Sequence, residues 1–175
     1  MPRRLPTIIT QEEFEKLFAA EKKKVYKLAY LLGFEAGMRI SEIVGLKGAD
    51  GSFIINPLSK SQVDLQGHTI KVIGGKGKKD RIVPLPKRFN ENALSLLPLQ
   101  IGRRAIQWKI SRLAEKVIGK KIHFHTLRHG FGTHLAQTRP IHEVQALMGH
   151  SRLDTTGIYL HTNPVKAVEG ARDAF

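Results

Sequence analysis

Cysteine is absent from this chain, which excludes disulfides, thiolate-bound zinc and a cysteine nucleophile. Acidic residues are sparse. Fifteen Asp+Glu stand against 29 Lys+Arg, giving a formal charge of +14 and a pI near 10.2, and no carboxylate pair competes for the role of nucleophile. Aromatics make up only 7% and mostly keep step with core positions, so no stacking platform for single strands or RNA is legible. No apolar run is long enough to span a bilayer, and the N-terminus lacks the apolar core of a signal peptide. Internal repeats, low-complexity tracts and an interdomain linker are also missing. What is left is one domain of 175 residues, 41% of them hydrophobic, with room for a single sizeable core. Its charge favours a polyanionic partner. A cytoplasmic, nucleoid-associated protein with no membrane partner is expected.

Hydrophobic spacing outlines the elements. Thr10 and Glu13 fit a capping box before a short helix with Phe14, Leu17 and Phe18 inward. Val25, Leu28, Ala29, Leu32 and Ala36 recur at helical spacing until Gly37, and Ser41 is placed to cap a short helix through Ile43 and Leu46. Phe53–Ile55, Thr69–Ile73 and Arg81–Pro84 read as strands. The last two flank a glycine-rich turn and should form an antiparallel hairpin, with 56–67 a loop or ragged extension of the sheet. Residues 103–118 return to helix, with Ile106, Ile110, Leu113, Ala114 and Val117 as the buried stripe and Lys109, Arg112 and Lys116 on another face. Helices are expected near 125–137, 141–148 and 155–161, with a tail helix near 164–173. The expected fold is mainly α with a small three-stranded antiparallel β-sheet (α+β).

Seven residues carry chemistry: Arg39 with Glu42 behind it, Lys76, His125, Arg128, His150 and Tyr159. Two guanidiniums, an ammonium, two imidazoles and a phenol suit attack by tyrosine on a phosphodiester. His125 and Arg128 are three apart and share a helix face. Gly132 lies on the side of Arg128, where it would leave room for a ligand, so Arg128 is expected to be presented to a phosphate that its fork can grip. Arg39, taken alone, reads as an ordinary solvated arginine that Glu42 could orient. Lys76 sits on the basic hairpin turn with Lys78 and Lys79. There it could deliver a proton to a leaving alkoxide, helped by nearby arginines that lower its pKa. Tyr159 becomes a nucleophile only beside a cationic cluster that stabilises its phenolate. His125 and His129 have the spacing of a two-histidine zinc helix, but Thr126 and Leu127 stand where that motif needs its glutamate. No metal and no cofactor is expected. His123, His129 and His134 read as packing, capping or surface residues.

In order, Gly37-Met38-Arg39-Ile40-Ser41-Glu42, Gly75-Lys76-Gly77, His125-Thr126-Leu127-Arg128-His129, Leu147-Met148-Gly149-His150-Ser151 and Thr155-Thr156-x-x-Tyr159 resemble the catalytic domain of the tyrosine recombinases, the phage integrase and Xer-type family. The resemblance covers nearly all of 1–175. It implies that Tyr159 attacks the scissile phosphate to form a 3′-phosphotyrosyl bond while Lys76 protonates the departing 5′-hydroxyl. Arg39 and Arg128 would stabilise charge on phosphorus, His125 would take or hold the tyrosyl proton, and His150 would hydrogen-bond a phosphate oxygen. It further implies double-stranded DNA carrying specific recombination sites as partner, and a homo-tetramer on that DNA. The family's N-terminal core-binding domain is expected to be absent from this chain. Lys71, Lys78, Lys79, Arg81, Lys109, Arg112 and Lys116 are the expected phosphate contacts. Ala167, Val168, Ala171 and Phe175 could form a small docking face on the tail. A type IB topoisomerase-like enzyme, which relaxes DNA without strand exchange, shares this core and is the alternative. A non-enzymatic basic DNA-binding module is a third reading.

Overall fold

The computed structural model describes residues 7–74, 80–149 and 164–175. Helix α1 (Gln11–Ala20) opens on the expected capping box: the Glu13 N–H donates to Thr10 Oγ1 at 3.2 Å and the Thr10 N–H to Glu13 Oε2 at 3.0 Å. Helix α2 (Lys24–Phe34) is buried without interruption from Leu28 to Phe34, because α1 and α6 (Phe124–Leu135) both pack on it. It ends at a corner where Gly37 has φ +60°, and a Cβ there would collide with the Phe131 ring. Only glycine meets both demands.

The corner sets up α3 (Ile40–Val44). Ser41 lies inside this helix and does not cap it. Arg39 holds the N-cap position, and its N–H donates to Glu42 Oε2 at 2.8 Å. The glutamate, not the serine, satisfies the helix start.

Two antiparallel sheets follow. β1 (Leu46–Lys47) pairs with β2 (Phe53–Ile55), and separately β3 (Val63–Asp64), β4 (Thr69–Val72) and β5 (Arg81–Pro84) form a three-stranded sheet in that order. The expected hairpin is present, with Ile70 opposite Val83 and Val72 opposite Arg81. Its third strand is Val63–Asp64, from the expected ragged extension, and not Phe53–Ile55. Phe53 and Ile54 are exposed, so β2 has no buried face with which to join the core sheet. In β4 and β5, Ile70, Val72 and Val83 are buried while Lys71 and Ile82 face outward, the alternation of a half-buried sheet.

Helix α4 (Glu91–Ser95), capped by the Asn90 side chain on the Ala93 N–H, was not foreseen. α5 (Arg103–Ile118) buries Ile106, Ile110 and Ala114. α6 joins the main core to a smaller one in which Phe131 and Leu135 meet Val144, Leu147 and Met148 of α7 (Ile141–Met148) and Val168 and Ala171 of α8 (Pro164–Asp173). Of the expected docking face, Val168, Ala171 and Phe175 are therefore occupied within the chain. Phe175 stacks on Phe131 at 5.9 Å and lies 4.5 Å from the His134 ring, whose Nε2 is 2.5 Å from the Ala174 carbonyl oxygen.

Candidate active site

Four elements converge at the Gly37 corner: the N-terminus of α3, the first residue of β5, the first turns of α6 and the last turn of α7. Glu42 is their centre. Its side chain is 1% exposed, and both oxygens are doubly engaged. Oε1 accepts from Arg39 Nη1 at 2.9 Å and Arg81 Nη1 at 2.8 Å. Oε2 accepts from the Arg39 N–H and from Arg81 Nη2, each at 2.8 Å. Burial alone would raise this carboxyl, but the hydrogen bonds and charge of Arg81, then Arg39, outweigh it and bring it down to about 2.

Arg128 corrects the expectation of a presented guanidinium. It is 1% exposed and donates Nη1 to the Gly37 carbonyl and Nη2 to the Met148 carbonyl. Phe124, Arg128, Phe131 and Leu135 run along one side of α6 at three- and four-residue steps, so Arg128 points where the core residues point. The space at Gly132 goes to Met148, whose Cε would lie 3.2 Å from a Cβ placed there. No carboxylate bonds Arg128 among the described residues. Burial first, then the charges of Arg39 and Arg81, hold its pKa down to about 9, with Glu42 opposing. It stays charged at neutral pH, in a site whose three guanidiniums share one carboxylate. Such a cluster favours an added anion.

Arg39 is not the solvated arginine that its position alone suggests. Its side chain is 18% exposed and bound to Glu42. His125 is exposed on the first turn of α6, its ring 4.5 Å from that of His129 in an edge-on contact. Gln107 of α5 steadies this turn, since its Oε1 accepts the Phe124 N–H at 3.0 Å and its Nε2 lies 3.0 Å from His123 Nδ1. Lys76, Lys78, Lys79, His150 and Tyr159 lie outside the described residues.

Arg81 was expected among the phosphate contacts. The structure commits its guanidinium inward instead, with a side chain 9% exposed, both terminal nitrogens on Glu42 and Nε on the Leu147 carbonyl at 3.0 Å. A legible signal was available: Arg81 shares a strand face with Val83, so the two-residue period turns it toward the core. Among the described residues, the other expected contacts remain accessible. Lys71 is exposed with Asp80 at 3.9 Å, Lys109 is half-buried with Glu21 at 3.8 Å, and Arg112 and Lys116 are exposed. Sequence reasoning missed Trp108, which is 61% exposed with the Arg112 guanidinium 4.9 Å over its ring. A groove of about 540 Å³ lined by Ile40, Arg103, Arg104, Trp108, Arg112 and His123 links this face of α5 to the corner that carries Arg39.

Residues 7–165 match the model of the phage integrase family. The chain belongs to that family. It is 33% identical over 180 residues to the tyrosine recombinase XerA of Thermococcus kodakarensis, covering 91% of this chain and 59% of that protein. Among solved structures, the integrase of mycobacterium phage Brujita superposes with a TM-score of 0.77 at 25% identity, over all of this chain and 60% of that one. The XerH site-specific recombinase bound to its difH substrate gives 0.61 at 25% identity, over 98% and 55%. The chain thus spans under two thirds of the length of these relatives. The mainly helical fold with small antiparallel sheets is that of tyrosine recombinase catalytic domains.

Proposed function

We propose that this chain is the catalytic domain of a site-specific DNA recombinase that cuts and rejoins double-stranded DNA through a 3′-phosphotyrosyl intermediate. The observation that carries the reading is the buried cluster of Arg39, Arg81 and Arg128 around the single carboxylate of Glu42, beside the exposed His125. In a phage integrase family chain that cluster is the natural seat of a phosphodiester. The matched relatives are recombinases and integrases and do not favour the topoisomerase-like alternative.

In this reading the Tyr159 oxygen attacks phosphorus, a new P–O bond forms, and the bond to the 5′-oxygen breaks. Lys76 gives that oxygen its proton, and His125 takes or holds the tyrosyl proton. Arg39 and Arg128 oppose the charge that builds on the non-bridging oxygens, and His150 hydrogen-bonds one of them. Two of the five N–H donors of Arg128 hold backbone carbonyls, so its fork is fixed before DNA arrives and needs little reorganisation. A 5′-hydroxyl of another strand reverses the step, so neither ATP nor metal is called for. Four copies on two sites would complete an exchange.

The DNA surface would extend from this corner along α5. Lys109, Arg112 and Lys116 would meet phosphates, joined by Lys71, Lys78 and Lys79 from the hairpin. Exposed Trp108 is the candidate for an apolar contact with base edges in the groove. The test uses nicked duplexes randomised in sequence around the nick, so that the 5′-leaving fragment diffuses away and covalent complexes accumulate. The parent should give a protein–DNA adduct on denaturing gels and Tyr159→Phe none. An adduct that survives the substitution would remove Tyr159 from the reaction.

A further inference from the structure

Arg81 stands outside the set of residues to which the proposed reaction assigns a role, yet its guanidinium bridges two of the elements that meet at the site. It leaves β5 and reaches back to α3, where its two terminal nitrogens take both oxygens of Glu42 at 2.8 Å. Its remaining nitrogen, Nε, reaches forward to the Leu147 carbonyl in the last turn of α7. The next carbonyl, that of Met148, is held by Arg128, whose other terminal nitrogen holds Gly37 at the α2–α3 corner. Two buried guanidiniums therefore clamp α7 to α3 through adjacent carbonyls. The fit is close. Gly149 has φ +60°, and a Cβ there would come within 2.9 Å of Arg81 Cδ, so the residue before His150 has to be glycine for the arginine to pass.

Resting on the proposed recombinase reading, we propose that Arg81 is the positioning residue of this site: by occupying Glu42 bidentately and holding the Leu147 carbonyl, it keeps Arg39 from pairing fork-to-fork with Glu42 and steadies the end of α7 that fixes Arg128, so that both guanidiniums are set for the scissile phosphate. The chemistry concerns competition for one carboxylate. Arg39 now donates a single side-chain bond to Glu42, at Oε1. Without Arg81, both oxygens would be open to the planar fork of Arg39, and a fork-to-fork pair would withdraw that guanidinium from phosphorus. A lysine at 81 keeps the charge, but its single ammonium cannot serve both Glu42 oxygens and the Leu147 carbonyl together.

The test compares the parent, Arg81→Lys, Arg81→Gln and the double variant Arg81→Gln/Glu42→Gln, each on the duplex recovered from the randomised pool as the parent's adduct. Single-turnover adduct formation at saturating DNA is read beside Kd and the melting temperature. Arg81→Lys should slow adduct formation about tenfold or more with Kd within about threefold, since positioning acts on the bound complex and not on capture. Arg81→Gln should be slower still, and removing Glu42 in that background should restore part of the rate, a coupling that a purely structural role would not produce. If Arg81→Gln has no melting transition, Arg81→Lys decides alone. A folded Arg81→Lys protein with undiminished rate overturns the proposal, as does a loss that lies wholly in Kd or a double variant no faster than Arg81→Gln. No adduct from the parent would instead overturn the recombinase reading, and this inference with it.

Discussion

Glu35 and Glu42 flank the Gly37 corner, and each takes an arginine from the stretch that begins with β5, yet the two clusters that result are built to opposite charge balances. At the first, Arg88 bonds Glu35 and also takes both oxygens of Glu15 at 2.9 Å. One cation serves two carboxylates, and although burial opposes it, Arg88 ends above its ordinary pKa because Glu15 and Glu35 hold the proton on it. Its guanidinium also lies 4.5 Å over Phe18, tying α1 to the end of α2. At the second, three guanidiniums gather at one carboxylate, which bonds Arg39 and Arg81 and not Arg128, and Arg128 is pushed the other way, down to about 9. The first cluster is complete as it stands. The second leaves positive charge in a dry place, a costly arrangement that an anion would complete. Charge balance, more than burial or hydrogen-bond count, separates a brace from a site here.

The widest gap between them should appear in cleavage. Arg128→Lys or Arg39→Gln is expected to lower adduct formation by about 10²–10³-fold, the cost of one pre-set donor to a developing oxyanion. Arg88→Gln should leave that rate within about threefold and instead lower stability to urea by roughly 1–3 kcal/mol, since Arg88 is a third exposed and part of its interaction is screened. Equal losses of cleavage at Arg88 and Arg128 would erase the distinction.

Acid should reach the second cluster late. The Glu42 carboxyl is depressed to about 2 from an ordinary 4.5, so its contribution is fully present above about pH 4.5 and is lost as pH falls through about 2. In full it amounts to about 3 kcal/mol. Glu35 lies on the other side of its ordinary value, raised by burial against the pull of Arg88, so it takes up its proton at higher pH than a free carboxylate. Urea titrations across pH 2–6 should therefore show a steep acid limb for the parent that flattens in Glu42→Gln. An unchanged limb would mean that the ion pairs around Glu42 are not coupled to folding.

Much of this was legible in sequence, and the failures share a cause. Helices α1, α5 and α7 follow from spacing because each buries a single apolar stripe. Strand β2 was assigned to the wrong sheet because an apolar triplet carries no record of its partner. The ordered motifs named Arg39, Glu42, His125 and Arg128, but not how the arginines are held. Arg128 was expected to be presented because Gly132, on its side of the helix, would leave room for a ligand. Its burial depends on carbonyls of Gly37 and Met148 that only tertiary structure brings near. Arg81 was read by charge when its place on the strand, in phase with Val83, carried the better information. Trp108 was not singled out, although Ile106 and Ile110 on either side of it already filled the buried stripe and left the indole to another face.

A smaller effect probes the unbalanced charge without DNA. Inorganic phosphate at ten times its Kd should stabilise the parent by about 1.4 kcal/mol, a shift of roughly 3–6 °C in Tm. Arg88→Gln should keep that response and Arg39→Gln should lose most of it. A response lost equally in both would place the anion elsewhere on this basic chain.

The smallest expected effect separates the site from the rest of the DNA surface. Lys71 and Lys116 are exposed, and a cation on such a surface acts by displacing counterions, not by aligning reacting atoms. Replacing either by alanine should therefore reduce the slope of log K against log salt by about one and leave the saturated cleavage rate unchanged. Trp108→Ala should weaken binding with the slope intact, because an indole carries no charge to release an ion. The contrast between the two phenotypes matters more than either alone. If Trp108→Ala also lowers the slope, the ring acts by holding the Arg112 guanidinium that lies over it, and the contact on α5 is electrostatic throughout.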